Sequence, residues 1–522
     1  MMLKKLLPLA LISALFINAA IAQDVKNGDA QYRPAFHFTP KNNWMNDPNG
    51  LVYANGTYHL YYQYWPYGNT WGPMHWGHAT STDLIKWEEQ PIALYPDRLG
   101  YIFSGSATAD PNNTSGFGDG INVPIVAIFT YHDPAKEKAG QMDVESQGLA
   151  YSLDNGQTFT KYDQGNPVIK NPGIRDFRDP KVTWDAQHNM WVLVLAAQDR
   201  SQFYSSKNLK DWTYLSEFGA GIGAHGGVWE CPDFFPLKVE GATETKWVLI
   251  QSLNPGGANG GSGTQYFVGD FDGKTFTLDN AFAQKVAKEK AAWLDYGKDN
   301  YAGVTWNNVP NTEGKKIMIG WMSNWEYANV VPTQAWRSAN TIPRELKLVK
   351  KGADYSIVTT PVATLKNYIT KTDTYKNIAL KGKTILSAAG KANLSKADIS
   401  FTINGLKEDT YTFTLTNEAG ESLSFGISNK EHYLFVDRSK SSANSSFNTF
   451  TPMPSKAMLN GAQKNAAFHV ILDKTSVELF YNDGEKVMTE IFFTSAPFTE
   501  FTAASASSAQ INNLVISQLD FN

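Results

Sequence analysis

Turn dipeptides set the frame for this chain. Asn55-Gly56 separates Leu51-Val52-Tyr53 from Tyr58-His59-Leu60-Tyr61-Tyr62. Asn155-Gly156, Asp272-Gly273 and Asp483-Gly484 punctuate later apolar runs in the same way. Asn-Gly and Asp-Gly accept positive φ readily, so each pair predicts a hairpin. Val192 to Ala196 is a continuous apolar run suited to a buried strand. Helical periodicity is scarce, and Ala281 to Trp293 is the best candidate for one short helix. Many short hairpins with 41 Gly, 24 Pro and 13% aromatic residues point to an all-β fold.

A degenerate repeat runs through the first part. Ser81-Thr82-Asp83-Leu84-Ile85-Lys86-Trp87 has a serine, a turn and a tryptophan. Ser206-Lys207-Asn208-Leu209-Lys210-Asp211-Trp212 repeats it, and Ser152 to Phe159 and Asp270 to Phe276 are looser copies. Spacings of roughly 50–70 residues suit four-stranded propeller blades with insertions. The alternative is a set of unrelated hairpins. Near Pro343-Arg344-Glu345-Leu346 the character changes, and every Trp lies upstream. Downstream, Tyr411 to Leu415 and Val477 to Tyr481 alternate as the strands of a β-sandwich do. The expected division is a propeller over 32–345, a linker over 346–361 and a sandwich over 362–522.

With 522 residues, two to four domains are expected at about 150 residues each. Hydrophobic residues make up 42% and charged residues 18%, enough for large cores and unlike a disordered chain. A net charge of −4 gives no footprint for nucleic acid. The single cysteine, Cys231, excludes an intrachain disulfide framework and a Cys-rich zinc module. Residues 1–22 read as a secretory signal: Lys4 and Lys5, the apolar run Leu6 to Phe16, then Ala20-Ile21-Ala22. A membrane anchor is the alternative, but the apolar run is short for a span of about 20 residues. No second stretch of spanning length follows, so an exported protein without a membrane span is expected, either periplasmic or extracellular.

Three acidic motifs could carry chemistry. In Trp44-Met45-Asn46-Asp47-Pro48-Asn49-Gly50 a carboxylate precedes a proline, and an Asx turn has the same composition. In Phe177-Arg178-Asp179-Pro180 the arginine could hold Asp179 ionised, or the two could form a loop ion pair. In Trp229-Glu230-Cys231-Pro232-Asp233, apolar neighbours would raise the Glu230 pKa as a general acid needs, unless it is a solvated strand end. A propeller could gather all three acids at one end of its axis. Two carboxylates and a carboxylic acid suit glycoside cleavage, with Trp and Tyr to stack on sugar rings. The residues alone lead to a carbohydrate-active hydrolase and do not name the sugar.

These motifs resemble those of glycoside hydrolase family 32, the invertases, levanases and inulinases. Tyr62-Gln63-Tyr64, Trp71 to His78, Phe103-Ser104-Gly105-Ser106, Asp295-Tyr296-Gly297, Tyr301-Ala302, Trp321 to Trp325 and Ser476 to Asp483 extend the likeness over roughly Tyr32 to Leu519. The resemblance implies a five-bladed propeller followed by a β-sandwich, and a retaining mechanism with no metal or other cofactor. It implies Asp47 as nucleophile, Glu230 as acid/base and Asp179 as transition-state stabiliser. Asn46, Gln63, Trp71, Phe103, Ser104 and Arg178 would line the terminal fructose pocket, with Trp325 at the rim. Cys231 would be a small packing neighbour of Glu230, and His75 and His78 structural. Trp65 stands where many members carry Asn, and Asn300 where many carry Phe. Both are expected near the outer pocket, where they bear on leaving-group preference. The expected activity is release of fructose from levan, inulin or sucrose. The alternatives are an endo-acting levanase, an inverting pentosidase, fructosyl transfer, or an inactive fructan-binding scaffold. Oligomeric state is not legible.

Overall fold

The structure is a computed structural model that describes residues 30–388, 393–442, 447 and 449–521. The expected signal segment lies outside the described residues. Five antiparallel sheets follow one another over 43–94, 101–161, 177–218, 228–278 and 301–361, and each is built on a run of four strands. Their first strands are Asn43–Ala54, Tyr101–Ala109, Phe177–Asp185, Val228–Lys238 and Tyr301–Thr305. These five touch one another in a closed ring, which makes them the innermost strands of a five-bladed propeller.

The repeat marks one recurring place, the connection between third and fourth strands, in four of the blades. Asp83 Oδ1 accepts the N–H groups of Ile85 and Lys86 at 2.9 Å each. Asn208 Oδ1 accepts those of Lys210 and Asp211, and Asp272 Oδ1 those of Lys274 and Thr275. A short acceptor side chain here satisfies backbone donors that no neighbouring strand reaches.

The fifth blade departs from the expected division. Residues 346–361, read as a linker, belong to an outer hairpin of strands Arg344–Lys351 and Asp354–Pro361. Leu346, Leu348, Tyr355 and Ile357 are buried against the fourth blade's core. The helix spans Asn280–Glu289, shorter than the periodicity suggested. Asp279 caps its N-terminus, and Lys290 ends it at φ 73°.

Beyond residue 369 the chain forms the sandwich. The long strands Ile369–Ser387 and Glu500–Leu519 pair along most of their lengths. Glu500–Leu519 pairs with Thr410–Thr416 near its start and with Ala397–Asn404 near its end, so it joins the two halves of the fold. Inward residues such as Ile399, Phe401, Phe413, Phe425, Phe468 and Phe501 fill the core between them.

Buried charges join sandwich and propeller. Asp473 accepts the N–H groups of Ala35 and Phe36 at 2.7 and 3.1 Å, and His37 Nδ1 lies 2.8 Å from it. Glu478 binds His37 Nε2 at 2.7 Å and accepts the Ile342 N–H and the Arg344 guanidinium. Arg344 also binds Asp295 at 2.8 Å.

Candidate active site

Each innermost strand loses ladder register near its beginning. The shifts lie between Met45 and Pro48, Ile102 and Gly105, Glu230 and Asp233, and Tyr301 and Val304. In the third blade the shift sits opposite Val194 and Ala196, which places it at Asp179-Pro180. A bulge inserts an unpaired residue and re-aims a side chain. Proline cannot donate to a ladder, so Pro180 and Pro232 fit in the unpaired gaps, and Pro48 fits at the edge of its gap, where pairing with Tyr62 resumes. Asp179 and Cys231 adopt left-handed backbone conformations, with φ 63° and 46°. The prolines that flag the acidic motifs are thus part of what turns the acids into the central funnel.

The funnel gathers one polar side chain from each blade: Asp47, Ser104, Asp179, Glu230 and Tyr301. Ser104 Oγ donates to Asp47 Oδ2 at 2.8 Å, and Asn46 Nδ2 donates to Asp47 Oδ1 at 3.1 Å. The Asn46 amide is itself fixed by Trp44 Nε1 at 2.7 Å. The backbone N–H of Cys231 donates to Asp179 Oδ2 at 2.9 Å, and its thiol donates to Asp47 Oδ2 at 3.3 Å. Arg178 Nη2 reaches Glu230 Oε1 at 3.1 Å. The same guanidinium holds Asp176 at 2.8 Å and Glu145 at 3.2 Å. The Tyr301 hydroxyl donates to Glu230 Oε2.

This crowding decides the protonation. Burial pushes the Asp179 carboxyl up, Arg178 opposes it, and the charges of Glu230 and Asp47 add to the rise, bringing it to about 8. Glu230 is also raised, by burial and then by Asp47, against the pull of Arg178 and Tyr301. Like charges this close favour retention of a proton within the cluster near neutrality. Burial and the neighbouring carboxylates push the Cys231 thiol well above its ordinary range.

Trp71 is 42% exposed at the mouth and meets Phe103 edge-on at 6.0 Å. Trp325 stacks on Trp44 at 5.9 Å. Gln63 is buried, and its amide nitrogen donates to Asn49 Oδ1 at 2.7 Å and to the Ile102 carbonyl at 3.1 Å. His78 is buried between Tyr61 and His59, and burial pulls its pKa down to about 3, so it stays neutral. Asn300 does not reach the outer pocket. It is buried, with its amide 3.2 Å from Asp295 Oδ2, and a Cβ on Gly320 would collide with it. Trp65 packs beneath Gly68 and Gly72, supporting a rim loop. The sequence reading passed over Tyr301, Glu145 and Asp176 as site groups and undervalued Cys231, whose main-chain N–H is the donor that matters.

The model of the glycosyl hydrolases family 32 N-terminal domain matches residues 37–361, and that of the family 32 C-terminal domain matches residues 364–518. A levanase from Bacillus subtilis (strain 168) is 46% identical over 496 residues, covering 94% of this chain and 71% of that protein. An extracellular exo-inulinase from Aspergillus ficuum is 42% identical over 495 residues, covering 90% of this chain and 91% of that protein. The crystal structure of an exo-inulinase from Aspergillus awamori superposes with a TM-score of 0.84 at 36% identity, covering 94% of this chain and 98% of that one.

Proposed function

The chain belongs to glycosyl hydrolase family 32, and we propose that it is a retaining β-fructosidase releasing fructose from levan, inulin or sucrose. The single observation that carries the reading is the convergence of Asp47, Asp179 and Glu230 from three blades onto one funnel. Double displacement needs a carboxylate nucleophile and a carboxylic acid that later acts as base. In this reading Asp47 attacks the anomeric carbon while Glu230 protonates the departing glycosidic oxygen. Water then opens the fructosyl–Asp47 ester, giving a proton to Glu230 and restoring both groups. Asp179 accepts fructosyl hydroxyls, which favours its ionised form and leaves the shared proton to Glu230. Asn46, Gln63, Ser104, Arg178 and the rings of Trp71, Phe103 and Trp325 bind and orient the sugar.

Names given to the relatives support the substrate class: a levanase and exo-inulinases, the latter described as extracellular. An exported protein acting on oligo- or polysaccharide fits them, and among the described residues no helix is long and apolar enough to cross a membrane. A product profile on levan, inulin and sucrose tests the proposal, with Asp47→Ala as control. Free fructose as the first product supports exo action. Early oligosaccharides from levan would move the reading to endo action, and products longer than the substrate to transfer. No cleavage by the wild type would sink it.

A further inference from the structure

The mouth of the first blade carries aromatic rings outside the funnel. Tyr67 is 74% exposed and Tyr95 53%. Both sit where chain emerges at the funnel end: Tyr67 between the second and third strands, Tyr95 just after the fourth strand, Glu88–Leu94. They are linked rather than scattered. Tyr67 lies edge-on to Trp65 at 5.0 Å and to His75 at 6.1 Å, and His75 lies edge-on to Tyr95 at 5.5 Å. Burial pulls the His75 pKa down, so its ring stays uncharged.

The loop presenting these rings is held in place. Asn43 Nδ2 donates to the Pro66 carbonyl at 2.8 Å, and the Trp44 N–H to that of Gly68 at 3.0 Å. Asn69 Nδ2 donates to the Gln334 carbonyl at 2.7 Å, across the seam to the fifth blade. Trp65 fills the space below: a Cβ on Gly72 would approach its Nε1 to 2.7 Å. The departure from the family at position 65 therefore props the rim.

The strip is continuous with the funnel. Trp71, on the same loop, meets Phe103, and the next residue, Ser104, donates to Asp47. A ligand held at Asp47 by its terminal unit would extend past Trp71 toward Tyr67 and Tyr95. Tyrosines offer large amphipathic faces at small entropy cost, which suits sugar rings with apolar C–H faces and hydroxyl edges.

We infer that Tyr67 and Tyr95, carried by Trp65 and His75, form a stacking platform for the fructan chain beyond the unit being cleaved. The inference rests on the β-fructosidase reading for the identity of its ligand. Its tests are electrophoretic retardation of the full chain in native gels containing levan or inulin, and kinetics on the same polymers and on sucrose. The double variant Tyr67→Ala/Tyr95→Ala is expected to lose retardation. Its KM for polymer should rise about tenfold, the loss of roughly 50–60 Å² of apolar contact. Its kcat on polymer and both constants on sucrose should stay those of the wild type. Tyr67→Phe/Tyr95→Phe, which keeps the rings, should restore polymer binding. Unchanged retardation in the alanine variant, no retardation of the wild type, or an equal loss on sucrose would overturn the platform. Retardation needs no cleavage, so failure of the hydrolase reading would appear separately, as a wild type that binds polymer and releases no fructose.

Discussion

Tyr301 donates its phenolic hydroxyl to Glu230 from the first residue of the fifth innermost strand. The bond favours the ionised carboxyl and so opposes the rise that burial imposes on Glu230. Tyr301→Phe removes that restraint without changing the ring. If Glu230 must be protonated to act, the basic limb of the kcat/KM profile should move up by about one pH unit, the worth of a modest hydrogen bond to a charged group. An unmoved limb would separate Tyr301 from the proton donor.

Asp47→Ala and Glu230→Ala should fail differently. The first removes the proposed nucleophile and should be inactive on every substrate. In the proposed roles the second loses only proton transfer, about 10²–10⁴-fold on sucrose. An aryl fructoside, whose leaving group needs little protonation, should still fructosylate Glu230→Ala, and azide should rescue its turnover as fructosyl azide. Equal loss on both substrates without rescue would reassign the acid/base.

Cys231 is buried, and its thiol is held protonated by burial and the neighbouring carboxylates of Asp179, Asp47 and Glu230. The thiolate is the reactive form. Native protein should therefore resist a thiol reagent that labels the unfolded chain stoichiometrically. Rapid labelling of the folded enzyme at neutral pH would contradict this arrangement. Cys231→Ala removes one donor to Asp47 but keeps the backbone N–H on Asp179, so kcat should fall by about tenfold or less.

Arg344 is fully buried between Glu478 and Asp295. Arg344→Met leaves two carboxylates short of a partner, at a cost of about 3–5 kcal/mol. A clear fall in the denaturant midpoint is expected, and an unchanged midpoint would show that the pair is dispensable.

His37 gives the same interface a pH signature. Burial alone would depress its pKa, but hydrogen bonds to Asp473 and Glu478 outweigh burial and lift it to about 9. A raised folded-state pKa stabilises fully below the ordinary value near 6.5 and loses that contribution as pH climbs through 9. Asp473 and Glu478 are held low despite burial, so their share is lost in acid instead. The melting temperature of wild type should exceed that of His37→Gln most between about pH 5 and 6, with the gap shrinking above that and closing by about pH 10. A constant gap would refute the linkage.

Legibility in the sequence followed what side chains can signal. The blade turns were readable because Asp83, Asn208 and Asp272 bond locally. The three acids were readable because bulges recruit proline beside them. Tyr301 was not distinctive among 24 tyrosines. Glu145, the partner of Arg178, lies at the start of an ordinary third strand with no motif around it. The Cys231 N–H carries no residue signal at all. The hairpin 344–361 was misplaced because tryptophan stops before the propeller does.

The clamp at Asp473 and Glu478 also imposes an order of events. The ring's first strand, Asn43–Ala54, joins the fifth blade through the short parallel pairing of Asn43 and Trp44 with Trp336 and Arg337, backbone hydrogen bonds between Asn307 and Leu51 and Tyr53, and the packing of Trp44 against Trp321 and Trp325. The segment just before it is held by carboxylates more than 430 positions later. A ribosome therefore completes all five blades before it makes the groups that fasten the first. Until then the seam lacks its buried carboxylate clamp, and any export route that carries the chain unfolded postpones that fastening to the far side of the membrane.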